Sequence, residues 1–204
     1  MSAPPYPSNP GEYNQPGYPA PNPYPQLSTE DKFRAIVDKH EISLDMAQRL
    51  QQLRGFKIVF IFDDSGSMNA PLDDSPLNNA NSLMKATRWD ELQYFAKISV
   101  EIASLFDSDG CSIYFLNKQP SPLHNITDES QVAPLFNEKP RGFTPLPRVL
   151  DTVLRDNGPY LAEKKLLVVI ATDGEPTDDN GNYFQIIIMK YILYFHMKYM
   201  KYIL

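Results

Sequence analysis

The sequence predicts an α/β protein built on a doubly wound, mostly parallel sheet. Two continuous apolar runs, Phe56 to Phe62 (FKIVFIF) and Lys165 to Thr172 (KLLVVIAT), are rich in β-branched and aromatic residues and lack polar alternation, as strands buried on both faces require. Between them, Arg88 to Phe106 carries apolar residues at helical spacing (Leu92, Phe95, Ala96, Ser99, Ala103, Phe106). The resulting order of strand, helix, strand, helix, strand is that of a layered α/β domain.

Residues 1–27 hold nine of the chain's 19 prolines and four tyrosines, with Glu12 as the only charge. Such a segment buries too little apolar surface to offset its ordering entropy, so a disordered tail rich in polyproline II is expected. It reads as a spacer, or as a docking segment for a Pro- or Tyr-binding groove through Pro4-Pro5-Tyr6-Pro7. Residues 28–54 read as two short helices. Ser28 caps the first, whose apolar face is Phe33, Ile36 and Val37; Ser43 caps the second, with Leu44, Ala47, Leu50 and Leu53 on one face. This stretch is a helical lead-in that packs on the main domain, or else a small interaction module.

In the core, 56–180, Thr87 and Asp90 form a capping box for the long helix. Cys111 to Leu116 (CSIYFL) is a further strand. Residues 121–136 read as a loop with an antiparallel strand. A second helix starts with Pro145 at its first position, places Leu146, Val149, Leu150, Val153 and Leu154 on one face, and stops at Asn157-Gly158-Pro159.

Composition excludes several classes. With 204 residues the chain holds one domain with tails. A net charge of -6 and the lack of Lys/Arg runs disfavour nucleic acid. Cys111 is the single cysteine, so no internal disulfide forms. The N-terminus lacks a secretory-signal pattern, and a cytoplasmic, reducing location is expected. The sequon Asn125-Ile126-Thr127 is then a chance match.

The informative segment is Asp63-Asp64-Ser65-Gly66-Ser67, directly after the first strand. An Asp-x-Ser-x-Ser spacing turns three oxygen donors inward on one tight loop, and hard cations such as Mg²⁺ take oxygen ligands. Gly66 frees the loop to bend. The third strand ends in Thr172-Asp173-Gly174, and Arg141-Gly142-Phe143-Thr144-Pro145 leads into a helix. Loops at the carboxyl ends of strands are where open α/β sheets bind ligands. Thr144 has a simpler alternative as a helix N-cap, and Asp173 as a turn cap with Gly174. Asp64, Asp73, Asp74, Asp178 and Asp179 read as solvated loop charges.

From Phe56 to Asp179 the chain resembles a von Willebrand factor type A domain, a Rossmann-like fold with a metal-ion-dependent adhesion site. The resemblance implies Mg²⁺, or Mn²⁺ or Ca²⁺ in its place, bound directly by Ser65, Ser67 and, in some states, Thr144. Asp63 and Asp173 would stand close by, partly through water. It also implies that the ion is not catalytic, and that the Asp or Glu carboxylate of a protein partner completes its shell. The alternative is a scaffold or assembly subunit whose metal loop is structural or vestigial.

Enzymatic readings find little support. His40, His124 and His196 lie in separate pieces, Ser65 has no Gly-x-Ser-x-Gly elbow, and no phosphate-binding glycine loop occurs. Cys111 lies mid-strand and reads as a core thiol.

Residues 183–204 depart from all this. Seventeen of the 22 are Ile, Leu, Met, Phe or Tyr, and KYIL occurs twice. The resemblance implies more strands and helices here, so a C-terminally truncated domain is expected, its strand 165–172 unpaired on one side. Three readings compete for this aberrant segment: sequence that does not encode evolved protein, a membrane anchor, or a helix covering the sheet. Lys190, Lys198 and Lys201 break any 18-residue uncharged run, against an anchor.

Overall fold

The structure, a computed structural model, describes residues 27–78, 83–183 and the backbone of 192–196. The expectation of a disordered tail falls on residues 1–26 and lies outside the described residues, as do 184–191 and 197–204 of the C-terminal segment.

The chain is mixed α/β. The lead-in forms α1 (Thr29–Lys39) and α2 (Leu44–Leu50). Strands β1 (Phe56–Phe62), β2 (Cys111–Phe115), β3 (Leu123–Ile126), β4 (Lys165–Thr172) and β5 (Ile192–His196) form one sheet in the order β3-β2-β1-β4-β5. Only β3 runs antiparallel to its neighbour. The register pairs Phe62 with Ala171, so β1 and β4 end side by side and release their loops at one edge.

Helix α3 (Arg88–Phe106) and helix α4 (Leu146–Asn157) cover opposite faces of this sheet. The period-2 geometry of β1 explains how. Ile58, Phe60 and Phe62 point toward α3, while Val59 and Ile61 point toward α4. That double burial is why the strand sequence is apolar without alternation. On the α3 side an aromatic group fills the core: Phe62 meets Phe95, Phe115 and Phe136, and the Trp89 and Phe136 rings lie 4.4 Å apart. The Trp89 indole N–H donates to the Phe136 carbonyl at 3.1 Å, so this large ring is buried without an orphan donor. The first turn of α3 is thereby fixed near the end of β1.

The caps are as the sequence predicts. Ser28 and Ser43 accept helix-start N–H groups, and Thr87 with Asp90 forms the reciprocal capping box. The lead-in rests on α3. Phe33 packs edge-on against Phe106 at 5.7 Å, and Lys39 and His40 both reach Glu101. Burial raises the Glu101 carboxyl, but the His40 and Lys39 hydrogen bonds and charges outweigh it and hold it below the ordinary range.

Several expectations are corrected. Leu44 is 80% exposed, because the buried face of the short α2 centres on Ala47. Helix α4 begins at Leu146, with Pro145 in the cap position before it, and Leu154 points to solvent. The β4 edge is not left unpaired. Its free N–H and C=O groups take up Ile192–His196 in parallel, with Val168 opposite Ile192 and Thr172 opposite His196. The expected covering helix is a strand at these positions, as the branched and aromatic residues of ILYFH favour. Among the described residues no helix is long and apolar enough to cross a membrane.

Candidate functional site

Strand β1 delivers Asp63 into the interior at the carboxyl edge of the sheet, where its backbone N–H donates to Ala171 of β4 at 3.0 Å. The carboxylate is buried. Oδ1 accepts the Ser65 N–H at 2.8 Å, and Oδ2 accepts the Thr172 hydroxyl. Burial pushes the Asp63 carboxyl up, opposed by the Ser65 and Thr172 hydrogen bonds and seconded by the negative charge of Asp173.

From there a line of oxygens crosses to β4. Ser65 Oγ and Ser67 Oγ are 3.0 Å apart, and Ser67 Oγ donates to Asp173 Oδ1 at 2.8 Å. The second Asp173 oxygen pairs with the Arg88 guanidinium at the start of α3. Thr144 is buried on the third loop. Its backbone N–H donates to Thr177 Oγ1 at 3.1 Å, and its carbonyl accepts the Thr177 N–H at 2.9 Å. A Cβ at Gly174, the residue after Asp173, would lie 3.6 Å from Thr144 Oγ1. The structure thus links Asp63, Ser65, Ser67 and Asp173 by hydrogen bonds and brings Thr144 to the residue beside them. Thr144 is not the N-cap of α4, since Pro145 holds that place and no side chain caps it.

Asp64 is not a solvated loop charge. It is 4% exposed, and its carboxylate accepts the N–H groups of Asn117 (2.8 Å) and Lys118 (2.7 Å) and the Asn117 amide (3.2 Å). Burial pushes its carboxyl up as well, against those N–H bonds. Through its carbonyl it also holds the Arg141 N–H at 2.8 Å, and Gly66 N–H donates to the Gly142 carbonyl at 3.0 Å. Gly142 has φ +93°, and a Cβ there would fall 2.7 Å from Asn117 Oδ1, so only glycine lets the three loops close this tightly. The remaining loop aspartates do face solvent: Asp73 pairs with Lys85, Asp179 with Arg148, and Asp178 receives the Asn180 and Asn182 N–H groups. Cys111 is a core thiol, which burial pushes up to about 12.

The donor set is three hydroxyls and two carboxylates, all oxygen, which suits a hard divalent cation. Adjacent ligands of an octahedral Mg²⁺ at about 2.1 Å stand roughly 3 Å from one another. The Ser65–Ser67 and Ser67–Asp173 oxygen pairs, at 3.0 and 2.8 Å, have that spacing. It is equally the spacing of the hydrogen bonds these groups make with each other. Among the described residues no three His, Cys, Asp or Glu side chains converge as a metal-holding group, so any site here depends on its hydroxyls.

Arg88, Asn117 and Thr177 have no counterpart among the residues singled out by the spacing argument. The capping box had located Arg88 at the first residue of a helix, but nothing local reveals that its guanidinium meets a carboxylate 85 positions away. No family model matches the chain, and no curated protein matches it either.

Proposed function

We propose that this chain is a Mg²⁺-dependent protein-binding module of the von Willebrand factor type A kind, its sheet doubly wound. One observation carries the reading: three loops far apart in sequence bring Asp63, Ser65, Ser67, Thr144 and Asp173 to one sheet edge, with hydrogen bonds running from Asp63 to Asp173. Ser65, Ser67 and Thr144 would hold the ion, and Asp63 and Asp173 would supply charge close by. When bound, the ion offers an unsaturated position to an anionic oxygen such as a partner's Asp or Glu carboxylate. The chain's own residues fix the loops and keep the two carboxylates buried and oriented. Strand order β3-β2-β1-β4-β5, with α3 and α4 on opposite faces, supports the fold half of the proposal.

Calorimetric titration of the full chain with Mg²⁺ should show one saturable site, lost when Asp63→Ala and Ser65→Ala are combined. No binding by the unaltered chain, or undiminished binding by the folded double variant, overturns the reading.

A second reading is favoured by a different observation. All four carboxylate oxygens of Asp63 and Asp173 already have protein partners. A self-satisfied loop of this kind suits a scaffold subunit with a structural or vestigial metal loop. Partner capture that survives EDTA and requires residues 1–54 would favour it.

A further inference from the structure

Arg88 is placed where a bound cation would compete with it. Its guanidinium pairs with one oxygen of Asp173 while Ser67 occupies the other. The Asp173 side chain is 1% exposed and that of Arg88 33%, so the pair has a sealed end and an open end. The backbone is held as well: the Arg88 N–H donates to the Ala70 carbonyl at 3.1 Å, and the adjacent Trp89 is locked against Phe136. The side chain therefore hangs from a fixed helix start, about a third of it exposed, with its guanidinium on the buried Asp173.

Resting on the metal reading above, we infer that Arg88 is a sixth residue of the site: a tethered counter-ion that neutralises Asp173 when no metal is present and must release it when Mg²⁺ binds. The charges support this. Asp63 and Asp173 together carry two negative charges, of which Arg88 cancels one, so a divalent ion approaching the hydroxyls meets both a weakened field and a like charge. Arginine is suited to the part because its charge is permanent, and here one guanidinium N–H donates to one Asp173 oxygen. In this arrangement Arg88 sets how tightly the metal is held, and once displaced it is a free cation beside the metal.

The test is Mg²⁺ titration of the full chain carrying Arg88→Gln, with thermal unfolding followed in EDTA and in saturating Mg²⁺. Arg88→Gln should bind Mg²⁺ about tenfold more tightly than the unaltered chain, because a partly exposed charge-assisted pair no longer has to be broken. It should also unfold at lower temperature in EDTA and gain more from Mg²⁺. Arg88→Lys keeps the charge on a shorter side chain that reaches Asp173 less well, and should fall between the two; it carries the test if the Gln variant does not fold. Affinity equal to or weaker than that of the unaltered chain overturns the role of Arg88 and leaves the metal reading standing. If the unaltered chain binds nothing and Arg88→Gln binds Mg²⁺, the role of Arg88 holds and the metal reading fails for the native chain. If neither binds, both fall.

Discussion

The two ends of the sheet bury charge in opposite ways. At the amino end, Asp107 follows the last residue of α3 and is 1% exposed. Lys57 of β1 faces its Oδ2 at 3.2 Å, and Lys164, just before β4, meets its Oδ1 at 3.1 Å. Lys57 also donates to the Gly110 carbonyl at 2.7 Å, and Lys164 reaches Asp109 at 3.1 Å. Asp107 Oδ2 has no well-angled hydrogen bond, so its compensation is the ammonium charge itself. At the carboxyl end, three buried carboxylates, Asp63, Asp64 and Asp173, are held by N–H groups, hydroxyls and one guanidinium. One end has cations to match its anions. The other has an excess of anion and a row of hydroxyls. The first ties three elements together; the second is left with unmatched negative charge.

The largest effect is expected at the amino end. Asp107→Ala leaves Lys57, with a side chain only 9% exposed, as a buried cation facing a carbonyl alone. Breaking a buried pair by removing one partner costs about 3–5 kcal/mol, a large part of a small domain's stability. Urea unfolding should show that loss, with Mg²⁺ affinity unchanged in the folded fraction. The pH response has a definite sign. Hydrogen bonds that Lys164 donates to Asp109, and then to Asp107, hold it above its ordinary 10.5. Its contribution is present in full below 10.5 and is lost as the pH rises through the raised value. In Asp107→Ala that alkaline loss should shrink.

Asp64→Ala comes next and probes whether the anionic end is also held by structure. Three donors on the partly buried Asn117 and Lys118 lose this acceptor, at about 1–2 kcal/mol. Chemical denaturation measures this. The same variant should weaken Mg²⁺ binding, because the Asp64 carboxylate holds the Asn117 amide, which also donates to the Phe143 carbonyl beside Thr144 at 2.9 Å. Full Mg²⁺ affinity in a destabilised Asp64→Ala would separate that link from the site.

How far these differences could be read in advance depends on the range of the interactions. Strands β1 and β4 were legible because burial on both faces writes a continuous apolar run. Helix α3 was legible because Thr87 and Asp90 are three residues apart and satisfy each other locally. Asp63, Ser65 and Ser67 share one tight loop, so their spacing carried the signal. Asp64 was misread because its partners, Asn117 and Lys118, sit on a loop 53 and 54 positions away, and alternation along a loop says nothing of burial. The pairing of Ile192–His196 with β4 was missed for a similar reason: parallel partners are chosen by a free edge, which a linear pattern does not show. The Lys57–Asp107–Lys164 group is the extreme case: Lys57 and Asp107 are buried, and Lys164 is drawn half-buried onto them, where the starts of β1 and β4 meet the end of α3.

Asp63→Asn should have the smallest effect on stability, and it decides whether the two ends truly differ. The amide oxygen can still accept the Ser65 N–H, which lies 2.8 Å from Oδ1 in the native site. The new NH₂ faces Thr172, whose hydroxyl can turn to accept it while donating toward the Gly174 carbonyl at 3.4 Å. The charge that burial opposes is gone and the local hydrogen-bond count is nearly kept, so unfolding in EDTA should change by no more than about 1 kcal/mol. Mg²⁺ binding should nevertheless weaken by about tenfold or more, since half of the carboxylate charge near the hydroxyls is removed. A variant that unfolds as readily as Asp107→Ala would make Asp63 a structural anchor and erase the contrast between the ends. One that folds normally and loses the metal would mean that the buried anion at this edge is kept for a ligand, at a cost the fold does not need for its own stability.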